Sequence, residues 1–223
     1  MREYELPNEY RLGTRGSLNN RGEAAAVFSN TTNLDTVGVL SPDGFQVVAT
    51  LDGGDQLFVS ARNNNVGDVV FTASPTDLST DENRRIGVFR GGEVAYLPIV
   101  LDDAFIGSAL AINDLGAILF SAVNSDIAGL ASINVWIDDG FTTIAKVGNT
   151  LDDKIILSLF AGPNSLSNQS EVAFWVQFAD LTTAIYTSRF GVLQEIPIPP
   201  AIALFGVGIA AIGAASRRKK NVV

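Results

Sequence analysis

A chain of 223 residues, 47% apolar and 17% charged, is long enough for a packed domain and too apolar for a disordered one. It has no cysteine and no histidine, which excludes disulfides, thiol nucleophiles, Cys/His metal cages, Ser-His-Asp triads and the usual neutral-pH general base. The net charge of −9 is unevenly spread: Arg217, Arg218, Lys219 and Lys220 sit at the end, leaving eleven basic residues against all twenty-four acidic ones in residues 1–195, a net −13. A body whose only lysines are Lys146 and Lys154 lacks the clustered cations that phosphate contacts require, so nucleic acid is excluded as a partner.

Residues 1–20 contain acidic side chains and no apolar stretch, so they do not read as a signal peptide. From Asn19 onward a motif recurs. Asn64-Asn-Val-Gly67-Asp-Val-Val-Phe71 and Asn113-Asp-Leu-Gly116-Ala-Ile-Leu-Phe120 superimpose without a gap. A copy at Asn19 and Gly22 has its aromatic displaced to Phe28, and a copy at Ser167 keeps Phe174 while serine replaces both Asn and Gly. Asn and Gly tolerate left-handed backbone, so Asn-x-x-Gly predicts a turn feeding a strand, and the following run is apolar on both faces, as in a strand buried between neighbours.

Downstream of each motif an apolar run reaches a tight turn, at Pro42-Asp-Gly44, Gly91-Gly92, Asp138-Asp-Gly140 and Ser188-Arg-Phe-Gly191, and another strand follows. The pattern predicts an all-β domain over 1–195 in tandem three- to four-stranded repeats near 17–61, 62–110, 111–164 and 165–195. Such periods are β-propeller-like, either four blades or part of a larger propeller. Because little chain follows the last turn, either Glu3–Leu6 or Tyr10–Leu12 could complete the final repeat, or the repeats are the end of a longer array whose earlier copies lie upstream.

Acidic clusters at Asp52-Gly-Gly-Asp55, Asp102-Asp103 and Asp152-Asp153 lack the ligand spacing of a calcium loop and read as solvated turns. Every adjacent acid pair lies in a repeated turn, so none stands out as a glycosidase pair, and no catalytic residue or cofactor is predicted. Trp136, Phe141, Trp175 and Tyr186 are able to stack on sugars, but at strand positions they read first as packing.

At Ile196 the composition changes. Ile196-Pro197-Ile198-Pro199-Pro200 leads into an uncharged Gly/Ala-rich run, then the basic tail 217–220. A helix over 199–216 would be about 27 Å long, close to the ~30 Å hydrocarbon core, so one C-terminal transmembrane helix is expected within a segment 196–223. The positive-inside rule places residues 1–195 across the membrane, which calls for an export signal upstream of the chain or else a reversed orientation.

The prolines, the short span and the terminal cations of 196–220 resemble the PEP-CTERM sorting signal of Gram-negative exosortase substrates, in a form with isoleucine where that signal has glutamate. The repeats, carried by Asn19, Gly22, Asn64, Gly67, Phe71, Asn113, Gly116, Phe120 and Phe174, resemble the NxxGxxAF tandem-repeat family. Together the resemblances imply a noncatalytic exported protein, anchored in the membrane or at the cell surface, processed by an exosortase-like enzyme and serving extracellular matrix or biofilm. The alternative is an extracytoplasmic lectin or enzyme that takes polysaccharide on the repeat scaffold.

Overall fold

The computed structural model describes residues 5–13, 16–30, 35–50, 56–75, 84–102, 104–124, 129–189 and 192–195. The predicted membrane helix and sorting residues, from Ile196 to Lys220, lie outside them. Among the described residues every regular element is a strand, and the strands form four antiparallel sheets that follow one another along the chain.

The first sheet contains β1 (Tyr10–Leu12), β2 (Ser17–Leu18), β3 (Ala24–Asn30), β4 (Asp35–Ser41) and β5 (Gly44–Thr50); β1 and β2 pair with successive halves of β3. The second holds β6 (Gln56–Asn63), β7 (Val69–Pro75), β8 (Arg85–Arg90) and β9 (Glu93–Tyr96). The third holds β10 (Phe105–Ile112), β11 (Ile118–Val123), β12 (Leu130–Ile137) and β13 (Gly140–Lys146). The fourth runs β14 (Thr150–Leu151), β15 (Lys154–Phe160), β16 (Glu171–Phe178), β17 (Thr183–Arg189) and β18 (Val192–Glu195). One expectation changes here. Tyr10–Leu12 does not complete the last repeat: it pairs with Phe28–Asn30 in its own sheet, and the fourth sheet has its own outer strand, β18. Asp152-Asp153, read as a solvated turn, forms the exposed two-residue turn of the β14–β15 hairpin.

The turn residues explain themselves. Asp138 and Asp139, Asp152 and Asp153, and Gly91 and Gly92 all have positive φ at both central positions, the type I′ geometry whose twist matches that of the flanking strands. Asp is among the few residues with a side chain that accept this backbone, which accounts for acid pairs recurring where another repeat has Gly-Gly.

Each sheet packs its faces on its neighbours, which is why the inner strands are apolar on both sides. Ala25, Val27 and Val37 of the first sheet meet Val69, Phe71 and Ala73 of the second. Val70, Ile86 and Val88 on the opposite face of the second meet Ile118, Phe120 and Trp136 of the third. Leu119, Ile133 and Val135 of the third meet Phe174, Val176 and Phe178 of the fourth. The motif aromatic therefore always faces the preceding sheet.

In the second repeat the next strand supplies room opposite that aromatic, whereas Phe120 and Phe174 stand across from Asn134 and Tyr186. Phe71 pairs across the ladder with Gly87, where a Cβ would stand 2.3 Å from the Phe71 ring. In the first repeat Ala26 occupies the motif position, opposite Gly38, and the vacant space is taken from the other side by Phe45 of β5. Phe28, the displaced aromatic, meets Phe45 edge-on at 4.9 Å.

Candidate functional site

The motif loops lie at one end of the four sheets and lead into β3, β7, β11 and β16. Asn19, Asn64 and Asn113 fold their own loops: each Oδ1 accepts backbone N–H bonds from the residues two and four positions on, at 2.8–3.2 Å. Ser167 Oγ does the same for Gln169 and Glu171. The loop must then reverse through a left-handed residue, supplied by Gly22, Gly67 and Gly116 with φ of 79°, 99° and 83° and by Ser170 with φ of 61°. Serine in the last copy therefore keeps both the local cap and the turn.

The other end of each carboxamide leaves its own repeat. Nδ2 of Asn19 donates to the carbonyl of Asn64 at 2.7 Å, Asn64 to that of Asn113 at 3.0 Å, and Asn113 to that of Ser167 at 3.0 Å. A second rail runs one residue further on: the backbone N–H of Asn20 donates to Asn65 Oδ1, that of Asn65 to Asp114 Oδ1 and that of Asp114 to Asn168 Oδ1, at 2.7–2.9 Å. Six bonds spanning 45 to 54 residues thus stitch four loops in order. At about 1 kcal/mol net each, they form a substantial part of the coupling between sheets. A separate clip joins the second and third sheets where β10 bulges: Ala109 N–H donates to Thr72 Oγ1, and Ser60 Oγ donates to Ala109 O.

Asp114 is the charged member of the second rail. Asn65 Nδ2 donates to it at 2.8 Å, with the Asn65 N–H and Asn168 Nδ2 adding two more bonds, and these hold its carboxyl below the ordinary carboxylate range. A depressed folded-state pKa means stability that is present above about pH 4 and lost as pH falls through the lower folded value. Urea midpoints measured down through this window should fall more for the native chain than for Asp114→Asn, whose side chain does not titrate; parallel curves would show that the carboxylate does not couple the loops.

The loops line a cleft of about 500 Å³. All four repeats contribute: Ser17, Asn19 and Asn20 from the first, Arg62 to Asn65 from the second, Ala111, Ile112 and Asp114 from the third, and Pro163, Asn164, Leu166 and Asn168 from the fourth. Amide side chains dominate its walls. Arg62 is spent on structure, with Nε donating to Leu110 O and Nη1 to Ala61 O, and burial lowers its pKa from the usual guanidinium value. Asn164 is exposed and its carboxamide has no hydrogen-bond partner among the described residues.

The repeat residues predicted from sequence fall on this feature in two groups. Asn19, Gly22, Asn64, Gly67, Asn113 and Gly116 make the stitched loops, whereas Phe71, Phe120 and Phe174 are buried between sheets and do not reach the cleft. Sequence reasoning missed Asn65, Asp114 and Asn168, the second rail; the one available signal was the amide or acid that follows the first motif residue in every copy. Of the aromatics weighed as sugar platforms, Trp136 and Tyr186 are core, with Tyr186 Oη bonded to Asp152. Phe141 borders a smaller cavity of about 190 Å³ together with Asn134, Thr143 and Lys146. Among the described residues no group of three or more acidic side chains is placed to hold a metal ion.

Fold and site together define an all-β tandem-repeat protein whose repeats are stitched through their motif loops. No protein-family model and no curated protein sequence matches the chain. Among solved structures it is similar to the SapL1 lectin in complex with α-methyl fucoside, at 13% identity and a TM-score of 0.45 over 84% of this chain and 64% of that one. It is also similar to a triple arginine-to-alanine mutant of AofleA from Arthrobotrys oligospora, at 14% identity and a TM-score of 0.44 over 87% of this chain and 58% of that one. The chain thus spans less than two thirds of the length of either.

Proposed function

We propose that the protein is a noncatalytic carbohydrate-binding module, built as blades of a β-propeller-type array, that takes a neutral polyhydroxylated ligand in the cleft between its motif loops. The observation that carries this reading is the lining of the cleft. The carboxamides of Asn19, Asn63, Asn64, Asn65 and Asn168 are wholly or partly spent within the chain, but those of Asn20 and Asn164 have no hydrogen-bond partner among the described residues. A carboxamide's donors and acceptor on one rigid plane match hydroxyl groups that both give and accept hydrogen bonds. The two charged groups in the cleft are already engaged: Asp114 by asparagines and Arg62 by backbone carbonyls. An anionic or cationic ligand would find little uncompensated charge, and a purely apolar one would strand the amides.

The resemblance of 196–220 to a PEP-CTERM segment supplies the setting of the proposal: an exported body held at the membrane by a helix over 199–216, open to an exosortase-like processing enzyme, meeting polysaccharide outside the cell. Calorimetry of the full chain against neutral and acidic glycans tests the reading. Neutral glycans should bind, and Asn164→Trp, which fills the cleft from an exposed position, should weaken binding at least about tenfold, or ~1.4 kcal/mol, with an unchanged urea midpoint. No binding across the panel, or an affinity indifferent to Asn164→Trp, would sink it.

A further inference from the structure

Each internal junction joins two kinds of sheet face. The face carrying the motif aromatic packs backward, and the opposite face packs forward onto the next sheet's aromatic face. Among the described residues the first and the fourth sheet each keep one face, of opposite kind, without a neighbouring sheet. On the forward face of the fourth sheet, Phe160, Trp175 and Ile185 stand in direct cross-strand register, flanked by Ile155 and Leu157. Four of these remain open to solvent, from 48% for Leu157 and Ile185 to 63% for Phe160. On the backward face of the first sheet the half-buried Tyr10 and Phe45 rings cover the buried Phe28, beside Leu12 and Val47, which are 64% and 43% exposed.

The hydrogen-bond rails end in the same complementary way. Asn168 N–H, which by the pattern of the other three loops donates forward, has no partner among the described residues, and neither does the Asn20 carboxamide, which by that pattern accepts from behind. Donor and acceptor are the two halves of the bond already made three times within the chain. Contiguous exposed apolar faces of this kind mark interaction surfaces, and a heterologous, head-to-tail contact is what unlike complementary ends produce.

We infer that the fourth sheet of one molecule docks on the first sheet of a second copy of this chain, continuing both the sheet stacking and the second rail across the junction. The absence of native cysteine makes the geometry directly testable. In the full chain in nonionic detergent, sedimentation should show a species of at least twice the monomer mass. Mixing Asn20→Cys with Asn168→Cys under oxidation should give the mixed disulfide in preference to either homodimer, because the motif loops would meet at close range. Leu157→Lys and Ile185→Lys, both at exposed positions, should abolish association and the cross-link together while leaving far-UV circular dichroism and the urea midpoint of the isolated monomer unchanged. A chain monomeric at every concentration would overturn the inference, as would a cross-link indifferent to both lysines. So would an intramolecular disulfide in the Asn20→Cys/Asn168→Cys double variant, since it would mean that the array closes on itself.

Discussion

Phe71→Ala should lower the stability of the chain by about 3–5 kcal/mol, the range for emptying a fully buried aromatic site, and its melting temperature by roughly 6–20 °C for a body of this size. Phe71 is wholly buried in the junction between the first and second sheets, and its ring lies over the Cα of Gly87. The glycine is there for space, since its φ is not in the left-handed region and a Cβ would stand 2.3 Å from the ring. Gly87→Ala alone should therefore cost about 1–3 kcal/mol by overpacking. In the double variant the new methyl enters the space that the ring has left, so the loss should be smaller than the sum of the singles by about 0.5–3 kcal/mol. Urea denaturation of the four chains closes the cycle, and simple additivity would show that ring and glycine do not share one site. The first repeat is a natural version of the same exchange, with Ala26 opposite Gly38 and Phe45 filling the gap from β5.

That exchange also marks the limit of what the sequence conveys. The turns were legible because their chemistry is local: Asn64 caps a loop four residues long, and Gly67 supplies the φ that the loop demands. Phe45 as the substitute for a motif aromatic was not, because it arrives from another strand nineteen positions after Ala26. The strand that precedes the motif loop was equally hard to read in the last three repeats. β15 has a register shift between Ile156 and Ser158, and β6 and β10 carry equivalent shifts at Phe58/Ser60 and Ile106/Ser108, so the period-two alternation breaks in mid-strand. The cleft was illegible for a different reason. Its rails end on backbone carbonyls and on side chains 45 to 54 residues away, and a carbonyl acceptor leaves no trace in residue identity.

Asn113→Ala should separate the fourth sheet from the rest of the array. Its Oδ1 satisfies the N–H groups of Leu115 and of the wholly buried Ala117, and its Nδ2 supplies the first-rail bond between the third and fourth repeats. Truncation leaves buried groups unpaired at a cost of roughly 2–4 kcal/mol. Asn113→Ser isolates the part due to coupling, because serine at position 167 already makes the same local cap without a carboxamide to pass on; it should cost only about 1 kcal/mol. In stacked repeats stability is a sum of repeat and nearest-neighbour contributions, so a weakened junction loosens cooperativity as well as lowering the total. The two tryptophans report this directly, since Trp136 lies in the third sheet and Trp175 in the fourth. In Asn113→Ala backgrounds carrying Trp136→Phe or Trp175→Phe, the remaining fluorophore should show the fourth sheet unfolding at lower urea than the third, whereas the two transitions coincide when Asn113 is intact. Coincident transitions in both backgrounds would assign the coupling to the apolar junction of Leu119, Val135 and Phe174 and leave the loop rails with a purely local role.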